Sequence, residues 1–168
     1  RRAIALDMRV CAIRRQAQAE TPAGLMVAGD PERLADVLRL SDYVAVTLPL
    51  SPATHSLIDG SRLQLMKPTA FVINVARAEI FDEAALYAAL ASGALQGAAL
   101  DVWYRYPTSA EPTEPASQPF HQLVNVLMTP HVSGWTEGML DARAKLIAEN
   151  IERTARGETP LNAIDLTS

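Results

Sequence analysis

The chain has 168 residues, with 15 Lys and Arg against 19 Asp and Glu for a formal net charge of −4, and it is 49% apolar and 20% charged. That length fits the roughly 100–200 residues of one domain, the composition is that of a globular core, and the acidic balance argues against a broad basic surface for nucleic acid or anionic lipid. A single cysteine, Cys11, excludes a disulfide scaffold or a cysteine-rich metal site, and the longest apolar stretch, Ala84 to Leu100, is broken by Ser92, Gly93, Gln96 and Gly97 well before the ~20 residues of a membrane span.

The opening segment RRAIALDMRV reads as the middle of an element, so the N-terminal side of a longer protein is expected to be missing. No signal peptide is recognisable, and a cytoplasmic location is expected. Ala3–Leu6 looks like the tail of a helix, and Met8–Ile13 is a compact apolar strand ended by Arg14 and Arg15. The segment 16–29, with Pro22, Gly24 and Gly29, reads as a loop. Asp30 followed by Pro31 is a helix start, a capping side chain before a proline in the first turn, and Leu34, Val37 and Leu38 give that helix one apolar face. Tyr43–Leu48 is a second strand, closed by Pro49, whose near-continuous apolar character suits burial on both faces. Short helical turns are expected over 50–69, then a third strand over Ala70–Val75. Asp82 caps a helix over Glu83–Ala91 that points Leu86, Ala89 and Leu90 inward, with Gly93 as its stop. A fourth strand spans Gly97–Val102, with Asp101 near its end. A proline-rich loop, Pro107 to Pro119, is the one place where local disorder is plausible. A fifth strand, Asn125–Met128, leads into Thr129-Pro130-His131, and a long helix runs from Thr136 or Glu137 to about Arg156.

Buried strands alternating with helices predict a parallel α/β sheet with right-handed crossovers. In such sheets ligands bind beyond the carboxyl ends of the strands. That rule alone selects Arg14, Arg15, Pro49, Ala76, Arg77, Asp101 and His131, which include a guanidinium, a carboxylate and an imidazole. This is a workable set for oxidising or reducing a small anion.

The stretches SDYVAVTLPLSPATHSLI (41–58), MKPTAFVINVARAEIFDEAALYAAL (66–90), GALQGAALDV (93–102) and NVLMTPHVSGWT (125–136) resemble the D-isomer-specific 2-hydroxyacid dehydrogenases, and the likeness extends through GETPLNAID (157–165). The resemblance implies a Rossmann-like doubly wound parallel sheet, here missing its first strand and glycine-rich turn. It implies a truncated NAD(P)-binding domain over 1–135 and, over 136–168, a helix and tail that return to an absent substrate domain. It also implies hydride transfer between NAD(P) and a small 2-hydroxy or 2-oxo acid of the glyoxylate or hydroxypyruvate kind, in a protein that is commonly a homodimer.

By the same resemblance, Arg77 in INVARAE is the substrate-binding arginine, whose planar guanidinium can hold a carboxylate by two parallel charge-assisted bonds. His131 in TPHVSG is the general acid/base, suited by an imidazole that titrates near neutrality. Asp101 lies against the nicotinamide ring, Ser133 and Gly134 are placed near its carboxamide, and Pro49, Val75 and Ala76 line the cofactor crevice. His55 and His121 match no such position and are read as surface or loop packing.

Two departures stand out. The family's usual glutamate, five residues after Asp101, is replaced by Tyr106 in DVWYRYP. A phenol is neutral at pH 7 and cannot stabilise an imidazolium as a carboxylate does. Either Tyr106 orients His131 by a hydrogen bond, which is the favoured reading, or Glu111 or Glu114 reaches in from the loop, or the dyad is weakened. The second departure is Arg14, with Arg15 next to it, where an acidic residue would bind the ribose 2′-hydroxyl of NAD. Arginine suits the 2′-phosphate of NADP, so the cofactor is NADP or NAD with NADP slightly favoured. No glycine precedes Gly24, so the G-x-G-x-x-G phosphate turn is not in this sequence, and the chain alone is expected to be inactive. Two alternatives to the dehydrogenase remain: a non-catalytic NAD(H)-binding or corepressor-like module, and a formate-dehydrogenase-like enzyme. A truncated sheet is also expected to expose an edge and apolar surface.

Overall fold

A computed structural model describes residues 2–15 and 23–164 of the chain. It separates into two compact units, Arg1–His131 and Val132–Ser168.

The first unit is α/β. A short helix α1 (Arg2–Ala5) precedes β1 (Val10–Ile13). The expected loop over 16–29 is corrected in its second half: Leu25–Gly29 forms a strand, β2, parallel to β1, pairing Cys11 with Val27 and Ile13 with Gly29. Its apolar run LMVAG is short and bounded by glycines, which hides it among turn signals. Residues 16–22 lie outside the described residues.

Asp30 caps the next turn, its side chain accepting the Glu32 N–H at 3.1 Å. A single 3-10 turn (Pro31–Arg33) continues into α2 (Leu34–Leu40), which buries Val37 and Leu38. Strand β3 (Tyr43–Val46) follows, then α3 (Gly60–Leu63) under an Asp59 cap, β4 (Phe71–Asn74), α4 (Glu83–Ala91), β5 (Gly97–Leu100) and β6 (Val126–Met128). Asp82 accepts the Ala85 N–H at 2.8 Å, so α4 starts where its capping residue requires. Strands β3 to β6 form one parallel sheet in the order β3-β4-β5-β6, with Val46 opposite Asn74 and Asn74 opposite Leu100. The sheet is therefore not continuous, because β1 and β2 pair only with each other. A groove lined by Val10, Cys11, Tyr43, Ala45 and Ile73 carries apolar surface where β1 and β3 do not pair.

One face of the four-stranded sheet makes the core. Val46, Val72, Ala98 and Leu100 pack with Leu38, Leu63, Leu86, Leu90 and Phe120. The opposite face is open: Tyr43 is 56% exposed and Leu127 65%, and the Tyr43 and Phe71 rings stack in the open at 5.6 Å. This corrects the expectation that β3 is buried on both faces. Its apolar residues alternate between a covered and an uncovered side of the pleat. The loop 107–119 is tied down: the Glu83 carboxylate accepts the N–H groups of Ser117 and Gln118, and the Arg105 N–H donates to the Pro115 carbonyl at 2.9 Å.

The second unit is built on α5 (Met139–Ala155). It begins later than Thr136 because Gly138 sits in the left-handed region at φ 75° and breaks the helix there. The following tail folds back on it, with Asn150 accepting the Leu161 N–H and Arg153 donating to the Thr159 carbonyl. No helix among the described residues is long and apolar enough to cross a membrane.

Candidate functional site

Because β4, β5 and β6 are parallel, their carboxyl ends share one edge of the sheet. Arg77 follows β4 by three residues, Asp101 follows β5 directly, and His131 follows β6 by three. The β4 and β6 axes are two strand spacings apart, about 10 Å. Asp101 therefore occupies the middle of a row whose ends are Arg77 and His131.

A hydrogen-bonded path runs along that row. The Asn74 side-chain amide donates to the Arg77 carbonyl at 2.9 Å, and the Asn74 carbonyl accepts the Asp101 N–H at 3.0 Å. The Thr129 hydroxyl donates to Asp101 Oδ1 at 2.6 Å, while the Thr129 carbonyl accepts the indole N–H of Trp103 at 2.9 Å. The Trp103 backbone N–H donates to the Tyr106 hydroxyl at 3.0 Å, and that hydroxyl stands 2.9 Å from Nδ1 of His131. Asp101 and Asn74 are buried, at 3% and 2% exposure, so the centre of the row is closed to solvent. Arg77, Tyr106 and His131 at its ends are exposed and available to a ligand.

His131 adopts the left-handed backbone conformation at φ 59°, uncommon for a residue with a side chain. Such conformations persist only where the surroundings hold them, and they cluster at functional positions. Here the surroundings are the fixed β6 exit and the Tyr106 contact. The Trp103 N–H can only donate, so it fills one acceptor site of the phenol oxygen. That oxygen keeps its own hydrogen and a further lone pair, so it can hold Nδ1 in either tautomer of the ring and leaves Nε2 turned away from Tyr106. Glu111 and Glu114 stand exposed in the loop.

Beside this row, burial and the nearby charges of Glu83, Asp82 and Glu79 push the Tyr104 phenol well above its ordinary value. Its hydroxyl donates to the Phe81 carbonyl at 3.2 Å.

The remaining expected residues are distributed as follows. Val75 and Ala76 lie between β4 and Arg77, with Val75 exposed and Ala76 buried. Pro49 follows β3, and its carbonyl accepts the Thr54 hydroxyl at 2.8 Å. Arg14 and Arg15 follow β1 in the two-stranded sheet, and the Arg14 N–H donates to the Gly29 carbonyl at 2.9 Å. Ser133 and Gly134 belong to the second unit, inside a turn closed by the Trp135 N–H and the Val132 carbonyl at 2.8 Å. Sequence reasoning passed over Asn74, Trp103 and Thr129. For Asn74 the signal was present, a carboxamide inside the apolar run AFVINV. The Trp103 contact is made by a backbone group, which no side-chain pattern reveals.

Comparison with known proteins places these residues in context. The family described as "D-isomer specific 2-hydroxyacid dehydrogenase, NAD binding domain" matches residues 1–133. A glyoxylate reductase of Pyrococcus horikoshii is 37% identical over 160 residues, covering 95% of this chain and 45% of that protein. The crystal structure of a D-isomer specific 2-hydroxyacid dehydrogenase from Xanthobacter autotrophicus Py2, in complex with NADPH and MES, is 35% identical. It superposes with a TM-score of 0.73 over 94% of this chain and 46% of that one. The NAD-complexed enzyme from Lactobacillus delbrueckii ssp. bulgaricus is 27% identical, with a TM-score of 0.81 over 96% of this chain and 50% of that one. The chain thus spans about half the length of the relatives it matches.

Proposed function

Because the chain belongs to the D-isomer specific 2-hydroxyacid dehydrogenases through their NAD-binding domain, we propose that the whole protein moves a hydride between NAD(P) and C2 of a small 2-hydroxy or 2-oxo acid of the glyoxylate or hydroxypyruvate kind. The observation that carries this reading is the strand-end row. It holds a guanidinium, a buried carboxylate and an imidazole on adjacent parallel strands, with the imidazole fixed by Tyr106 at 2.9 Å.

The roles follow from chemistry. Arg77 receives the substrate carboxylate in two parallel N–H···O bonds, which fixes C2. His131 gives a proton from Nε2 to the oxygen on C2 in reduction and takes it back in oxidation. Tyr106 holds the ring by its other nitrogen and is a positioning residue rather than a proton donor to substrate. When bound, the nicotinamide cofactor supplies or accepts the hydride. Asp101, its Oδ1 held by Thr129, offers the fixed negative charge that favours a cationic, oxidised ring. Val75, Ala76 and Pro49 offer the crevice wall, and Ser133 and Gly134 are proposed contacts to the carboxamide. The cofactor's diphosphate has no glycine-rich turn to bind in this sequence, so the 168-residue chain alone is inactive in this reading.

The finer cofactor choice is NADP over NAD. It rests on Arg14 and Arg15 at the end of β1, where a 2′-phosphate would find a guanidinium instead of a carboxylate. Relatives have been crystallised with NADPH and with NAD, so the choice rests on the two arginines.

The test is a steady-state assay of the full-length protein on glyoxylate and hydroxypyruvate with NADPH and with NADH. Arg77→Ala is expected to raise KM by about 10–100-fold for each lost charged hydrogen bond. His131→Gln is expected to lower kcat by about 10²–10⁴-fold. Arg14→Asp is expected to reverse the cofactor preference. No turnover of any 2-oxo acid with either cofactor would overturn the dehydrogenase reading. Turnover by the 168-residue chain would overturn its inactivity.

A further inference from the structure

Asn74 is the last residue of β4 and, at 2% exposure, one of two buried polar side chains among the described residues. Both ends of its carboxamide are used, and both partners lie in the next three residues. Oδ1 accepts the Ala76 N–H at 3.1 Å, and Nδ2 donates to the Arg77 carbonyl at 2.9 Å. The side chain therefore grips the peptide group entering Ala76 and the one leaving Arg77. Between those grips Arg77 is extended (φ −147°, ψ 140°), and its guanidinium donates to the Ala76 carbonyl at 2.6 Å. The backbone of Asn74 is anchored in turn, because its carbonyl accepts the Asp101 N–H at 3.0 Å.

Few side chains can do this. The site needs a donor and an acceptor on one planar group, one carbon from the backbone, reaching two and three residues ahead. Aspartate accepts but does not donate, leucine does neither, and glutamine has the right group on an arm one methylene too long. The burial matters equally: the exit of a strand is where a chain is free to turn, and a buried carboxamide satisfied on both sides removes that freedom.

From this geometry we propose that Asn74 is the positioning residue of the substrate clamp. It sets the direction in which Arg77 leaves β4, and so governs binding of the substrate carboxylate without touching it. The inference rests on the reading of Arg77 as that clamp. It assigns to Asn74 a role in affinity rather than in proton or hydride transfer.

The test is a double-mutant cycle in the full-length protein, with KM and kcat for glyoxylate measured at saturating cofactor. Asn74→Ala is expected to raise KM roughly 10-fold, with kcat changed less than about 3-fold, since only ground-state positioning is lost. Because Asn74 acts through Arg77, the Asn74→Ala/Arg77→Ala double variant should have the KM of Arg77→Ala alone, within about 3-fold. Independent multiplication of the two effects would overturn the proposal, as would a fall in kcat with KM unchanged. An Arg77→Ala variant with wild-type KM would overturn it together with the clamp reading, whereas a raised KM in Arg77→Ala and none in Asn74→Ala overturns the role of Asn74 alone. If Asn74→Ala does not fold, as judged by circular dichroism, Asn74→Asp carries the same test. It keeps the acceptor for the Ala76 N–H and turns a charged acceptor toward the Arg77 carbonyl in place of the donor, so an unaltered KM in that variant counts against the proposal.

Discussion

A hydroxyl and a carboxylate are different partners for an imidazole. A carboxylate only accepts, so it holds a histidine with its proton on Nδ1 and stabilises the doubly protonated ring. The Tyr106 hydroxyl, already accepting the Trp103 N–H, can meet Nδ1 either as donor or as acceptor and holds the ring without setting a charge beside it. In the proposed reaction the ring must carry both protons to give one to the substrate in reduction, and Tyr106 adds no charge that stabilises that form. Replacing Tyr106 by Glu supplies such a charge. The limb of the kcat/KM profile for reduction that requires a protonated ring should move to higher pH, because an adjacent negative charge favours the cation. Tyr106→Phe removes the contact without adding charge and should lower kcat by about 10-fold, with KM little changed, since an unheld ring spends less time in the reactive orientation. Superimposable pH profiles for wild type and both variants would rule out a working contact between Tyr106 and His131.

At the level of elements, position in the sheet explains residues that composition does not. Gly97 opens β5 against the neighbouring strands. A Cβ there would lie 2.7 Å from the Asn125 carbonyl oxygen and 3.0 Å from the Phe71 ring. Phe71 can swing aside, but a backbone carbonyl in register cannot. Gly97→Ala should therefore destabilise the chain by about 1–3 kcal/mol, as overpacking does. A midpoint of urea unfolding equal to wild type would show that β6 can shift. Such tight pairing was only partly legible in the sequence. The cap at Asp82, the helix Glu83–Ala91 and the apolar cores of β3 to β6 could be read because local chemistry and periodicity agree there. Strand β2 could not, since four apolar residues between glycines signal a turn as readily as a strand. Nor could the open face of β3, because alternation between covered and uncovered sides is invisible when both sides carry apolar residues. At the site, the strand-end rule found Arg77, Asp101 and His131 by position. The path that joins them alternates side chains of Asn74, Thr129 and Trp103 with backbone groups of the same residues, and the backbone links leave no pattern in side chains.

Across the whole molecule, the buried centre of the site and the core meet at the segment after β5, where Trp103 and Tyr104 dock on opposite neighbours. Trp103 reaches the Thr129 carbonyl, and Tyr104 reaches the Phe81 carbonyl just ahead of α4. This segment ties the exit of β6 to the start of α4, so its loosening should be felt globally. Titration of Tyr104 supplies a way to loosen it. Burial, with three acidic neighbours, raises the folded-state phenol above the ordinary value of about 10. A group whose folded value is raised adds stability that is complete below the unfolded value and is lost as pH rises past it. Below about pH 10 the phenol is protonated in both states and stability does not depend on it. Above that, the unfolded chain releases the proton and the folded chain keeps it, so unfolding gains up to about 1.4 kcal/mol per pH unit from this residue. Tyr104→Phe gives up the bond to the Phe81 carbonyl, costing about 1 kcal/mol at neutral pH. The variant lacks the ionisable group, so its stability should fall less steeply between pH 10 and 11 than that of the wild type. Thermal unfolding of the two proteins across pH 8 to 11 measures the difference directly. Parallel curves with a constant offset would mean that Tyr104 ionises as readily in the folded chain as in the unfolded one, and that the segment is not held as tightly as its contacts imply.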